Sequence, residues 1–600
     1  MRLTRIALIS FLLSLIVGSL LSAASHKPVK FPAPTPPRND VELDNRVSVP
    51  MRDGVILYAD IYRPVGEGKH PVLVSRTPYS TERYPRSHEE ALFYSRRGYV
   101  YVFQDVRGRH ESDGKWEPFR DDIEDGYDTV EWAAKQPWSN GKVAMQGHSY
   151  GGHVQWRAAM AAPPSLVTIF PLVASTSLYH DWITLNGGWR LSFNFGWGAV
   201  RQESRIMQNV GPHNMAGPDA ISYDKVLWHQ PLHTMQKLVG RNAQFYKDWL
   251  AHPDYDDYWK KINVEEVFDK IGIPVHTQGG WFDIFSQGTL RGFVGMSHHG
   301  KTEVAREKSH ITIGAWGHGP SRSVGDLDFG ETANVSRDEL QLRWYDYWLR
   351  GVDNGLDTEP PVRLFVMGRN EWRYEDEYPL ERTEYKNLYL HSGGSANSAR
   401  GDGRLSWDEP AAGAQPDRYT YDPDMPVPSV GGNNCCGTPT PAGPRDQKAV
   451  ESRNDVLVYT SDVIEEEIEV TGPVKVVLYA SSDALDTDFV AKLVDVYPDG
   501  KAYNMAEGIL RARYREGLDQ PKLLEPGKVY KLEIDLVGTS VAFQKGHRIR
   551  VDVTSSHFPQ FDRNPNTGEP FATSTTVKRA RQTIHHSSQQ PSHIVLPVIP

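Results

Sequence analysis

The sequence predicts an α/β fold built on a mainly parallel sheet, with an antiparallel β part behind it. Three observations lead there. Short apolar runs of strand type at 55–61, 71–75 and 100–104 are separated by turn residues and by a helix-compatible stretch at 89–97, the alternation of a sheet covered on both faces. From about 175 to 267 that alternation fades into a segment rich in Trp, Phe, His and Met. Beyond about 360 strand-like runs follow one another without helical spacing between them, which argues for an antiparallel sandwich.

Composition sets the outer bounds. A chain of 600 residues with 39% hydrophobic and 24% charged side chains is globular and long enough for about four domains, or fewer if one is a large α/β unit. Its 66 basic and 76 acidic residues leave a net charge of −10, which disfavours nucleic acid as a partner because phosphate backbones recruit basic surfaces. The two cysteines, Cys435 and Cys436, exclude a multi-bridge disulfide framework and a four-cysteine zinc site. A bond between these neighbours and a pair of thiols both remain open, and no redox role is expected of them.

Taken in order, Arg2 and Arg5 precede an apolar run at 6–21 that ends in Ser22, Ala23 and Ala24, which reads as a secretory signal over 1–24. Ser10, Ser14, Gly18 and Ser19 interrupt the run, so it is marginal for a span of about 20 residues. A periplasmic or secreted protein is expected, with no stable membrane span after signal removal. Residues 25–39 are a proline-rich tether. Residues 40–174 form the first α/β part, with helical spacing in Ile123, Tyr127, Val130 and Trp132 leading to a strand at 142–146.

Residues 175–267 read as a mostly helical insertion, with Trp182, Trp189, Phe193, Phe195, Trp197, Met207, Trp228, Met235, Phe245 and Trp249 in it. Core strands at 169–173 and 275–279 bracket it, and the second α/β part runs through 268–360 with a further strand at 310–314 and a helix around 340–348. The β part covers 361–600, with runs at 362–367, 386–390, 456–460, 474–480, 489–496, 529–537 and 548–554. Polar-out, apolar-in alternation is clearest from Lys531 to Leu536.

The strongest chemical signal is Gly147-His148-Ser149-Tyr150-Gly151, directly after one predicted strand and directly before a helix-compatible segment. That is the GxSxG pattern in its strand-turn-helix setting. A serine on so sharp a turn needs small residues two positions away on both sides, and Gly147 and Gly151 supply them. The turn also leaves the Tyr150 N–H at a helix start, where it can meet a developing negative charge. A serine hydroxyl needs a histidine base and an acid that orients it, and in α/β-hydrolases these follow in the order serine, acid, histidine. Asp283, after the strand at 275–279, and His318, after the strand at 310–314, fit that order; Asp269 and Asp326 are weaker candidates for the acid. Tyr79 follows an early strand, where a loop would reach the nucleophile's turn, although spacing alone does not assign it a role.

Together Arg76 to Tyr79, Asp105 to Gly108, Gly147 to Gly152, Gly280 to Asp283, Trp316 to Pro320, and Tyr421-Asp422-Pro423 with Pro426-Val427-Pro428 resemble the Xaa-Pro dipeptidyl-peptidase-like hydrolases. That group includes cocaine esterase, α-amino-acid ester hydrolases and glutaryl cephalosporin acylases. The likeness runs from about residue 40 to the end. It implies an α/β-hydrolase with a helical cap insertion and a C-terminal antiparallel β jelly-roll sandwich. It also implies Ser149, Asp283 and His318 as a triad, and the Tyr79 hydroxyl with the Tyr150 N–H as an oxyanion hole.

Two departures bear on specificity. Prolyl dipeptidases of the group are longer, with an extra N-terminal domain, whereas only the tether precedes the first strand here. The amino-ester hydrolases carry a carboxylate three residues after the nucleophile, where this chain has Gly152. The expected protein is therefore a serine hydrolase that cleaves a small-molecule ester or amide through an acyl-serine, with Trp189, Phe193 and Trp197 as candidates for the pocket wall. No metal or organic cofactor is required, and a homo-oligomer is left open. The alternatives are an Xaa-Pro dipeptidyl-peptidase and a non-catalytic binding protein on a hydrolase scaffold.

Overall fold

The computed structural model describes residues 33–81, 85–201, 223–436 and 439–600. The signal at 1–24, the tether up to residue 32 and Met207 lie outside the described residues.

Among the described residues, ten strands form the first sheet. They are β1 (Val41–Pro50), β2 (Ile56–Pro64), β3 (His70–Thr77), β4 (Val100–Asp105), β5 (Ser139–His148), β6 (Leu166–Leu172), β7 (His276–Gly280), β8 (His310–Gly314), β9 (Val362–Val366) and β10 (Glu371–Glu375), in the order β1-β2-β4-β3-β5-β6-β7-β8-β9-β10. Pairing is parallel from β4 through to β9 and antiparallel at both edges. β4, β7 and β8 are buried along their whole length, as expected of a sheet covered on both faces. Helices α1 (Pro85–Ser95), α2 (Asp122–Ala134), α3 (Tyr150–Met160), α4 (Ser286–His299) and α5 (Arg337–Arg350) flank it. Ser336 opens α5 by accepting from the Glu339 N–H, and Gly351 closes it in a left-handed conformation at φ 68°.

Between β6 and β7 the described residues make short helical turns and a two-residue hairpin, Thr184–Leu185 with Gly188–Trp189. Its aromatic residues merge with Tyr150, Ile284 and Phe285 into one buried cluster. The C-terminal part contributes twelve strands among the described residues, almost all antiparallel, with the long strand Ile468–Ser482 pairing to Tyr530–Phe543, Ala580–Ser587 and His593–Ile599. One assignment is corrected. Of the run at 362–367, which the sequence places at the start of the C-terminal part, Val362–Val366 is the ninth strand of the first sheet and pairs in parallel with His310–Gly314, while Met367 bridges to Val541. Alternation reveals a strand but not the sheet it joins. The same run shows how the two parts meet: Leu364, Phe365 and Val366 share a cluster with Trp281, Phe282, Leu478, Leu536 and Val541. This apolar contact fixes the C-terminal strands against the loops that leave β7 and β8.

Asp105, at the carboxyl end of β4, is buried and accepts from the Thr81 N–H at 3.1 Å. Burial pushes its carboxyl up to about 7 from the usual 3.8. A carboxyl raised in the folded state contributes stability that is whole below its unfolded value and is lost as pH rises through the folded one. Asp105→Asn is therefore predicted to raise the melting temperature at about pH 8 and to leave it nearly unchanged at about pH 4. A lower melting temperature for the variant at the higher pH would contradict this.

Candidate active site

Loops at the carboxyl ends of parallel strands carry the residues that the sequence singles out. In the turn between β5 and α3, Ser149 adopts φ 59° and ψ −119°, a conformation that costs a residue with a side chain about 1–3 kcal/mol. Its neighbours hold it there. The Ser149 N–H donates to Leu172 O at 2.9 Å, and Ser149 O accepts from the N–H groups of Gly152 and His153 at 2.8 and 3.0 Å. Gly147 lies at φ 151°, and a Cβ on it would stand 2.9 Å from the Gly151 backbone. Gly147 is thus a packing requirement, whereas a Cβ on Gly151 would meet only Arg76 O at 3.5 Å, an ordinary contact, so the sequence expectation of a small residue on both sides holds on one side.

Two further loops leave β7 and β8, and backbone bonds join them. The Trp281 N–H donates to Gly314 O and the Phe282 N–H to Trp316 O, both at 2.9 Å. Gly280 makes this approach possible, because a Cβ there would lie 2.2 Å from Trp316 O. The result is a contact between side chains 35 positions apart in sequence: His318 Nδ1 stands 2.7 Å from Asp283 Oδ1. A carboxylate partner assigns the proton to Nδ1 and the lone pair to Nε2. Among the described residues, His318 Nε2 is buried and has no hydrogen-bond partner.

The His318 ring lies 4.7 Å from that of His148, beside Ser149 in the chain, and His148 Nε2 is 2.9 Å from His318 O. The histidine loop therefore rests on the serine turn. No hydrogen bond joins Ser149 Oγ to Nε2; bonds of this kind commonly tighten when substrate is bound. Of the weaker acids, Asp269 is exposed on the short turn Phe268–Lys270, and Asp326 is engaged by Arg445.

Tyr79 lies on the loop after β3. Its N–H donates to Thr77 Oγ1 at 3.1 Å, and Arg109 Nε donates to Pro78 O at 3.1 Å. Trp197 Nε1 donates to the Tyr79 hydroxyl at 3.1 Å, which turns the phenolic proton away from the indole. The Tyr150 hydroxyl is used otherwise. It donates to Asp122 Oδ2 at 2.7 Å and accepts from Trp116 Nε1 and the Phe119 N–H, while Arg76 pairs with Asp122 at 3.0 Å. Burial, with Asp122 beside it, holds this phenol well above its ordinary value, so it stays protonated. Locking the side chain leaves the Tyr150 N–H at the first turn of α3, where a helix has no internal partner for it.

Of the pocket candidates, Phe193 packs 5.1 Å from Trp182 and 6.1 Å from Phe285, itself 5.8 Å from His318. Trp197 stacks on Tyr150 at 6.1 Å. Trp189 packs against Tyr246 and Phe571, and its backbone N–H donates to Asp562 Oδ1 at 3.0 Å, so it joins the insertion to the C-terminal part.

Sequence reasoning missed a clamp from the C-terminal part. Asn433 Nδ2 reaches Trp281 O at 2.8 Å, Asp283 O at 3.0 Å and Ser286 Oγ at 3.0 Å, while the Asn433 N–H donates to Glu507 Oε1 at 3.2 Å. Burial alone would raise the Glu507 carboxyl; His557, Lys492 and Gln560 overcome that and hold it at about 2, charged over the working range. Gly432 precedes Asn433 because a Cβ there would strike the Glu507 carboxylate. Only the Gly431-Gly432-Asn433-Asn434 run hinted at this tight approach. Beyond it, Cys435 and Cys436 are bridged.

Residues 53–320 match the family described as X-Pro dipeptidyl-peptidase (S15 family), and 354–595 match the X-Pro dipeptidyl-peptidase C-terminal non-catalytic domain. The chain is 38% identical over 579 residues to a cocaine esterase of Rhodococcus sp. (strain MB1 Bresler), covering 92% of this chain and 98% of the relative. Its fold is similar to that of an α-amino acid ester hydrolase, with a TM-score of 0.80, 27% identity and coverage of 97% and 100% of the two chains. An aminopeptidase from a marine sediment archaeon, Thaumarchaeota archaeon, is similar at a TM-score of 0.81 and 29% identity, covering 96% and 99%.

Asn433→Ala is predicted to slow phosphonylation of the protein by a fluorophosphonate about 10- to 100-fold, by analogy with the loss of a group that orients a site residue. Circular dichroism should report an unchanged fold. An unaltered labelling rate would contradict the clamp.

Proposed function

The chain belongs to the X-Pro dipeptidyl-peptidase (S15) family and is a serine hydrolase, and on that footing we propose that it cleaves small-molecule esters through an acyl intermediate on Ser149. The observation that carries the residue assignment is the bond from His318 Nδ1 to Asp283, with Nε2 left buried and unpartnered beside the serine turn. In this reading His318 Nε2 takes the Ser149 proton as Oγ attacks the carbonyl carbon. Asp283 stabilises the imidazolium, and His318 returns the proton to the leaving alcohol. The Tyr79 hydroxyl and the Tyr150 N–H donate to the tetrahedral oxyanion. Water, deprotonated by the same nitrogen, then releases the acid and restores the serine. The chemistry is complete within these side chains.

The acyl group is read as bulky and hydrophobic, aromatic in the best case, with Phe193 and Trp197 walling it and Trp189 only supporting the wall. The name of the Rhodococcus relative favours this class. A free α-amino group is disfavoured as the recognition element. The position three residues after Ser149 has no room for a carboxylate, because a Cβ on Gly152 would meet Ala174 Cβ at 2.6 Å and Leu172 O at 2.9 Å. We read the insertion at 175–267 as a cap over this site and the C-terminal strands as a jelly roll. The bridged cysteine pair and the leader at 1–24 support an exported, periplasmic or secreted enzyme.

The test is a panel of p-nitrophenyl aryl esters, amino-acid esters and Xaa-Pro anilides. Aryl esters are predicted to be turned over fastest. Ser149→Ala should lower kcat about 10⁴-fold or more, and Tyr79→Phe about 10²- to 10³-fold. Turnover confined to the anilides would overturn the substrate class, and an unimpaired Ser149→Ala would overturn the mechanism.

A further inference from the structure

The bridge between Cys435 and Cys436 stands in the active site. The two sulfurs and one imidazole nitrogen of His318 all lie within 4.8 Å of one another. Cys435 is buried and Cys436 half-buried, and both pack into the aromatic cluster that contains Tyr79, Tyr150 and Phe285. Their position is set two residues earlier, where Asn433 bonds to the carbonyls of Trp281 and Asp283. The pair is therefore held to the same loop that holds the acid.

A second observation is independent of the sulfurs. Nδ1 of His318 is engaged by Asp283 at 2.7 Å, while Nε2 is buried and unpartnered. A histidine whose far nitrogen is fixed by a carboxylate is the arrangement that metal-ligating histidines commonly show, because it sets the tautomer and the ring orientation. Bridged sulfurs are poor ligands, whereas thiolates are strong ones for zinc.

We propose that reduction of the Cys435–Cys436 bond creates a site for a thiophilic divalent cation, held by both thiolates and His318, and that filling it switches hydrolysis off. The reductant is a dithiol. It gives two electrons and two protons, the S–S bond breaks, two S–H groups form, and the dithiol leaves as its own disulfide. Binding then displaces both thiol protons as two metal–sulfur bonds and one metal–nitrogen bond form. A tetrahedral zinc site with bonds of about 2.0–2.3 Å requires ligand separations of about 3.5–3.8 Å, inside the 4.8 Å that already contains the three groups. The fourth position stays open, and the nitrogen that would receive the Ser149 proton is occupied.

Only the inhibition rests on the proposed role of His318; the binding does not. The experiment compares oxidised protein, protein reduced with dithiothreitol and desalted without air, and reduced Cys435→Ser/Cys436→Ser protein. Zinc binding is measured by equilibrium dialysis, and aryl ester hydrolysis is measured relative to each protein's own zinc-free rate. The reduced protein should bind one zinc per chain and lose about 100-fold or more of its rate, as loss of the triad base predicts, with recovery on chelation and re-oxidation. The oxidised protein and the double variant should do neither. Zinc inhibition equal in all three, or no thiol-dependent binding in the reduced protein, would overturn the proposal. A failure of the catalytic reading would be seen separately, as a protein that hydrolyses nothing before zinc is added.

Discussion

The hydrogen bond between His318 and Asp283 is the contact on which the site depends, and it is a product of the sheet rather than of either residue. β7 and β8 run side by side in register from His276 with His310 to Gly280 with Gly314. Their outgoing loops therefore start at the same height. The bonds from Trp281 to Gly314 and from Phe282 to Trp316 then keep them together for two further residues, and Gly280 removes a Cβ that would lie 2.2 Å from Trp316 O. A buried carboxylate is expensive unless it is paired, and the same contact that orients the imidazole gives Asp283 Oδ1 its partner, while Oδ2 stays buried without one among the described residues. Packing and chemistry reinforce each other here.

Strain sits opposite this rigid pair. Ser149 is held in a conformation that serine disfavours, and the backbone bonds to Leu172, Gly152 and His153, with Gly147 packed against Gly151, hold it there. Around it, polar side chains are assigned so that few compete for the reacting atoms. The Tyr150 phenol is tied to Asp122, and the Tyr79 hydroxyl accepts from Trp197. The C-terminal part adds to this through Asn433 and Glu507. Its apolar contact with β9 makes that reach possible, which explains why a part with no residue of the proposed triad is built into the edge of the site.

Much of this was legible in the chain. The GxSxG run carries its own steric logic, and the order of Asp283 and His318 after two apolar strands follows from how parallel sheets present their loops. The strands at 100–104, 310–314 and 548–554 were visible as apolar or alternating runs and lie within a residue of where the structure has them. Val41–Pro50, Asp417–Tyr421 and Ala502–Arg511 were not, because edge pairing and charged residues blur their patterns. The membership of Val362–Val366 in the first sheet, the clamp by Asn433 and the approach of Cys435 and Cys436 to His318 are contacts across long sequence separations, which no local periodicity encodes. The aromatic character of Phe193 and Trp197 is visible in the sequence; their contacts with Phe285, Tyr150 and Tyr79 depend on how the insertion folds back.

The most direct test of the account is a crystal structure of the protein phosphonylated by an aryl fluorophosphonate. The account predicts a single covalent bond from phosphorus to Ser149 Oγ, with the phosphoryl oxygen about 2.7–3.1 Å from both the Tyr79 hydroxyl and the Tyr150 nitrogen. His318 Nε2 should lie within hydrogen-bond reach of the adduct, with the Asp283 contact retained. A phosphoryl oxygen turned away from both tyrosines, or an adduct on any other residue, would contradict it.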